Sequence, residues 1–180
     1  MSIQFNVNDT APVDFQVVKE NWQKYQLSDG TVLRAKLVLT NVLKARTQVN
    51  PLTGEPLYQW FVATPTPFSL VSWPEQLRGQ PTTVQITNEL IGQNIDENVG
   101  FDMVGKEDEW NIYSLTDGTN LRLRLNITNI QRIKLHGLTG EPLYNMQTQN
   151  ADFRITIPKN LIKKPTKSPT IKDRPGPPYA

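Results

Sequence analysis

The residues in this sequence that could first carry chemistry are carboxylates recurring at matched positions. Asp29 and Asp117 each precede a Gly-Thr pair, and Glu55 and Glu141 each sit in a Thr-Gly-Glu-Pro stretch. Paired carboxylates do acid–base work when their separation is fixed and one pKa is shifted. Asp-Gly between two alternating runs is first of all a hairpin turn, because glycine takes the positive φ the turn needs. Gly-Glu-Pro is likewise a turn composition, so all four acids are read as turn residues. The run Glu107-Asp108-Glu109 offers oxygens to a hard cation such as calcium, but it lacks the spaced ligands and glycine of an EF-hand loop. A solvated acidic loop is the simpler reading.

His136 is the only histidine, and there is no cysteine. Thiol nucleophiles, disulfides and cysteine metal sites are excluded together, and little is left for a histidine metal centre or a hydrolytic triad. No Gly-rich phosphate loop, Gly-x-Ser-x-Gly elbow or dinucleotide fingerprint occurs. The expectation is a protein without catalytic residues, metal or cofactor.

Binding chemistry has more to work with. Trp60 and Phe61 are adjacent in a run that reads as a strand, so their side chains must leave opposite faces. One of them faces away from its own core, either to anchor a partner or to meet the other half of the molecule. Arg34, Lys36, Arg122 and Arg124 fall on the polar faces of two alternating runs and make a candidate nucleic-acid face beside Trp22, Tyr25, Trp110 and Tyr113. The solvated outer face of a strand explains the same cations.

Charge is uneven along the chain. Of the 180 residues, with a formal net charge of +2, residues 159–174 carry +5 and residues 1–158 carry −3. Lys163, Lys164, Lys167, Lys172 and Arg174 lie among five prolines with almost nothing apolar to bury. Residues 163–180 therefore read as an extended basic, proline-rich arm that attracts polyanions or an acidic partner.

The elements that would position these residues come from an internal repeat. Residues 22–44 and 110–132 match at eleven of 23 positions, and LTGEPLY follows at 52–58 and again at 138–144. Both copies close on a Pro-x-x-Leu segment, at Pro74 and Pro158, read as a single helical turn. Leu121, Leu123, Leu125 and Ile127 alternate with polar residues, as do Leu33, Ala35, Leu37 and Leu39, which is the period of half-buried strands. Alternation slips at Thr40-Asn41 and Thr128-Asn129, where a bulge or bend is expected.

The reading is an all-β chain, a tandem duplication of a small four- to five-stranded barrel, SH3-like or Sm-like in general shape by analogy. The division is a leader at 1–14, repeat 1 at 15–78, a linker at 79–100 with an edge strand at 82–86, repeat 2 at 101–162, and the tail at 163–180. The leader covers a sheet edge or binds a partner subunit.

Function follows as three expectations. The first is a non-enzymatic tandem β module, an accessory subunit that docks into a larger protein assembly or into copies of itself. The second is RNA or DNA binding through the tail and the Arg-bearing strands, although an acidic body argues against a broad phosphate footprint. The third, most remote, is an enzyme with a site between the barrels. No run approaches the ~20 apolar residues of a membrane span, and residues 1–15 lack a secretory pattern. The expected setting is cytoplasmic, with a virion component as the alternative.

Overall fold

The computed structural model describes residues 5–105 and 110–164. Lys167, Lys172, Arg174 and the acidic run at 107–109 lie outside the described residues, as does most of the arm.

The described residues form β1 (Thr10–Pro12), β2 (Phe15–Lys19), β3 (Gln23–Leu27), β4 (Val32–Ala35), β5 (Leu39–Val49), β6 (Pro56–Val62) and β7 (Phe68–Ser72). A short helix α1 (Asn88–Gln93) follows, then β8 (Ile95–Asn98), β9 (Phe101–Val104), β10 (Asn111–Leu115), β11 (Asn120–His136) and β12 (Pro142–Thr156). Single 3-10 turns at Glu75–Leu77 and Lys159–Leu161 close the two copies behind Pro74 and Pro158. The fold is all-β and antiparallel.

Alternation places side chains as the period requires. Tyr25, Leu27, Leu33, Ala35, Leu37 and Leu39 are buried, and so are Tyr113, Leu115, Leu121, Leu123 and Leu125. Pairing register slips between Leu39 and Asn41 in β5 and between Ile127 and Asn129 in β11, where alternation breaks in the sequence. The Asp-Gly hairpins form with Gly30 at φ 89° and Gly118 at φ 86°.

No sheet closes into a barrel, which corrects the expectation of two SH3-like or Sm-like barrels. The strands form three open sheets in the orders β1-β5-β6, β12-β11-β10-β2 with β8 also on β11, and β7-β4-β3-β9. The reason is an exchange. β2 leaves its own repeat and pairs with β10, matching Phe15 to Leu115. β9 does the converse on β3, matching Phe101 to Leu27. Each half thus completes the other's sheet rather than closing its own. The buried residues of both copies accordingly form one continuous core, with Val42, Ile130 and Tyr144 among them.

The leader covers a sheet edge, one of the two roles expected of it, whereas the linker departs from the sequence reading. The leader is paired structure: β1 lies on β5 and Val13 N donates to the Val42 carbonyl at 2.9 Å. Its counterpart is the end of the linker, where Val99 N donates to the Ile130 carbonyl at 2.8 Å. Residues 82–86 form no strand; Thr82 N instead donates to the His136 carbonyl, and Thr82 Oγ1 accepts from His136 N, each at 3.1 Å. Thr87 caps α1 by accepting from Leu90 N at 3.2 Å, satisfying one of the donors a helix start leaves open.

Candidate interaction surfaces

The turn aspartates are turn residues and something more. Asp29 Oδ1 accepts from Thr31 N at 3.0 Å, and Asp117 Oδ1 accepts from Thr119 N at 3.1 Å, which is the local bond a tight turn offers. Their other oxygens face the opposite copy. Tyr144 donates to Asp29 Oδ2 at 2.8 Å, and Tyr58 donates to Asp117 Oδ2 at 2.7 Å. Arg132 reaches Asp29 at 3.3 Å, and Lys44 reaches Asp117 at 2.7 Å. The same bonds therefore form twice, each tying one copy's turn to the other copy's tyrosine.

Electrostatics fix the protons in this clasp. Burial, reinforced by the Asp29 carboxylate, pushes the Tyr144 phenol above its ordinary range, and burial likewise raises Tyr58. Burial alone would raise Asp117, but hydrogen bonds from Lys44, Tyr58 and Thr119 together hold it below the usual carboxylate value. Protonated phenols thus donate to a carboxylate, the charge-assisted arrangement that is stronger than a neutral hydrogen bond. The sequence reading missed Tyr58, Tyr144, Lys44 and Arg132. Their signal was present: each member of the two pairs occupies its partner's position in the other copy.

The two glycines of the Thr-Gly-Glu-Pro loops belong to the same exchange. Gly54 carries φ 74°, and its carbonyl accepts from Lys163 N at 2.9 Å. Gly140 carries φ 82°, and its carbonyl accepts from Gly79 N at 3.0 Å. A Cβ at either glycine would run into the backbone carbonyl of the crossing segment.

Trp60 and Phe61 do point to opposite faces. Trp60 is half-buried, its ring 4.6 Å from that of Phe153 in the other copy. Phe61 is the outward one, 39% exposed. Trp60, not Phe61, lines a cleft of about 740 Å³ between β6 and the second half of β12, with Tyr58 and Val62 on its own side and Thr148, Ala151 and Phe153 on the other. β6 and β12 are each outermost in their sheets. Two sheet edges therefore frame the cleft, a geometry the sequence could not show because it arises between the copies.

The four candidate cations separate into two kinds. Lys36 is paired with Glu20 at 2.8 Å and Arg124 with Asp152 at 2.7 Å. Arg34 lies 4.8 Å over the Trp22 ring and donates to Ser69 at 3.0 Å. Arg122 is exposed and stands directly opposite Arg154, a residue the sequence reading left out. Lys163 and Lys164 are exposed where the described chain ends.

Among the described residues no cluster of His, Asp or Glu could hold a metal ion, and no helix is long and apolar enough to cross a membrane. Comparison with protein-family models, with curated proteins and with solved structures found no match, so the functional reading rests on the geometry itself.

Proposed function

We propose that this chain is a duplicated, non-enzymatic β module that docks into a larger assembly through the cleft between β6 and β12. The observation carrying the proposal is that two outermost strands flank a cleft containing Trp60 and the 54%-exposed Phe153. An outermost strand offers backbone N–H and C=O groups that an extended partner segment can pair with, and buried aromatic anchors supply the affinity. The partner is a protein strand laid against β6. The duplication is supported by the eleven identities in 23 positions and by contacts that recur copy for copy. A non-catalytic role is supported by the clasp, whose polar groups are bonded to one another. A chain without cysteine needs no oxidising compartment, which suits a cytoplasmic protein or a virion component.

The test is copurification from the native source with wild-type protein and with the Gln149→Arg and Phe153→Asp variants, both at cleft-lining residues, each checked by thermal melting. A partner retained by wild type and lost by both folded variants supports docking at the cleft. Retention by both variants would remove the cleft from the proposal.

A further inference from the structure

We propose that the outer face of the five-stranded sheet binds single-stranded nucleic acid, at a surface independent of the cleft. Lys19 on β2 stands opposite Ile112 on β10, Ile112 stands opposite Arg122 on β11, and Arg122 stands opposite Arg154 on β12. Directly opposed residues share a sheet face, so these four strands place three cations in one row. At ~4.8 Å between strands the row spans ~14 Å. Like charges directly opposite one another destabilise a sheet. No carboxylate among the described residues lies within ion-pair distance of any of the three. An anion bound along the row would relieve that repulsion.

The row has an aromatic neighbour. Arg154 lies 4.6 Å and Arg124 lies 5.1 Å from the centre of the Trp110 ring. Asp152 neutralises Arg124 at 2.7 Å, which leaves Arg154 as the cation over the indole without a carboxylate partner among the described residues. A guanidinium fixed on an aromatic ring presents a planar, charged surface, and unstacked bases pack on both Arg planes and aromatic rings. An acidic peptide would use the charges without the planar surface, so nucleic acid is the better fit. The first copy repeats the arrangement in smaller form: Lys24 stands opposite Arg34, which lies over the 41%-exposed Trp22. The working set is therefore Lys19, Arg122 and Arg154, with Lys36 and Arg124 removed by their own ion pairs.

Fluorescence anisotropy of the full chain with a labelled oligouridine of about twelve nucleotides tests this. Each phosphate neutralised on a single strand contributes about 0.7 to the slope of log affinity against log salt, so three contacts give a slope near −2 from this face. The double variant R122Q/R154Q is expected to lose about tenfold or more in affinity and to shrink the slope by about 1.4. Lys134→Gln, an exposed charge farther along β11, is expected to change neither. Melting of R122Q/R154Q at or above the wild-type temperature shows that the fold is intact. Absence of binding by wild type overturns the proposal. So does binding by R122Q/R154Q at wild-type strength, including the case where only K167Q/K172Q/R174Q weakens it. Equal competition by a glutamate-rich peptide of the same charge would assign the face to an acidic protein instead. None of these results bears on the cleft variants, so the two proposals fail separately.

Discussion

The Tyr144 hydroxyl donates to Asp29 Oδ2 at 2.8 Å across a sequence separation of 115 residues. Its counterpart joins Tyr58 to Asp117 at 2.7 Å. Two short polar bonds in equivalent places hold the halves together at the turns that begin each long hairpin, so the stability of the whole chain should be sensitive to either hydroxyl.

Tyr144→Phe keeps the ring and removes the bonds to Asp29 and Thr31. A hydrogen bond to a charged group is worth about 1.5–3 kcal/mol, and at this chain length each kcal/mol moves the melting point by roughly 2–4 °C. The expected loss is therefore several degrees, read by calorimetry. Tyr58→Phe should behave alike, with a smaller drop because that cluster is less deeply buried. An unchanged melting point in both variants would show that the clasp adds nothing.

Acid should loosen the molecule through Asp117. Its folded pKa is depressed, despite burial acting the other way, by bonds from Lys44, Tyr58 and Thr119. A depressed carboxylate adds stability above its unfolded value of about 3.9 and loses that contribution as pH falls through the folded value. Urea midpoints measured from neutral pH down through that range should fall for wild type and fall less steeply for Asp117→Asn. Parallel curves would exclude this origin.

Alkali should act through the tyrosines. Burial raises Tyr25 to about 12 and lifts Tyr113 and Tyr144 further. A phenol whose folded pKa is raised stabilises the fold fully below the unfolded value of about 10 and ceases to do so as pH climbs toward the folded one. Phenolate absorbance of these three should therefore appear together with unfolding. Their smooth titration in a folded protein would contradict the burial assigned to them.

Gly140→Ala and Gly92→Ala should move stability in opposite directions. Gly140 has positive φ and a crossing carbonyl where a Cβ would sit, whereas Gly92 lies in α1 with open space around it. Gly92→Ala is expected to gain about 0.5–1 kcal/mol and Gly140→Ala to lose more than that. Equal effects in a denaturant titration would mean that the loop yields to the added methyl group.

Trp60→Ala and Phe61→Ala should separate stability from surface. Trp60 packs against Phe153 and the core, so its truncation should cost about 1–3 kcal/mol. Phe61 is 39% exposed, and its removal should stay within roughly 1 kcal/mol. Chemical denaturation of the two variants decides it; a larger loss at Phe61 would reverse the assignment.

What the sequence made legible was local. The alternation of Leu121, Leu123 and Leu125, the Asp-Gly turns and the slips near Asn41 and Asn129 each depend on a few neighbouring residues, and each appears where the pattern put it. What remained hidden was which edges meet. Phe15 pairs beside Leu115 and Phe101 beside Leu27. A strand's period of two does not encode its partner, and a barrel closed within each copy satisfies the same pattern. The correspondence between the leader and residues 95–98 is of the same kind: β1 pairs on β5 where β8 pairs on the equivalent stretch of β11. Arg154 was overlooked because its importance comes from standing opposite Arg122, which only the register reveals.

The exchange of β2 and β9 also bears on how the chain is made. A ribosome releases residues from the N-terminus onward, and domains commonly fold as they emerge. Here Phe15–Lys19 waits for Asn111–Leu115, and the turn at Asp29 waits for Tyr144. The first half must therefore leave the exit tunnel with one strand unplaced and with Phe15, whose ring packs edge-on against Tyr113 in the finished fold, uncovered. Completion is nearly simultaneous for both halves and cannot precede the emergence of Tyr144. A nascent chain stalled before residue 111 would remain protease-sensitive, and one extended past residue 164 would become resistant in a single step.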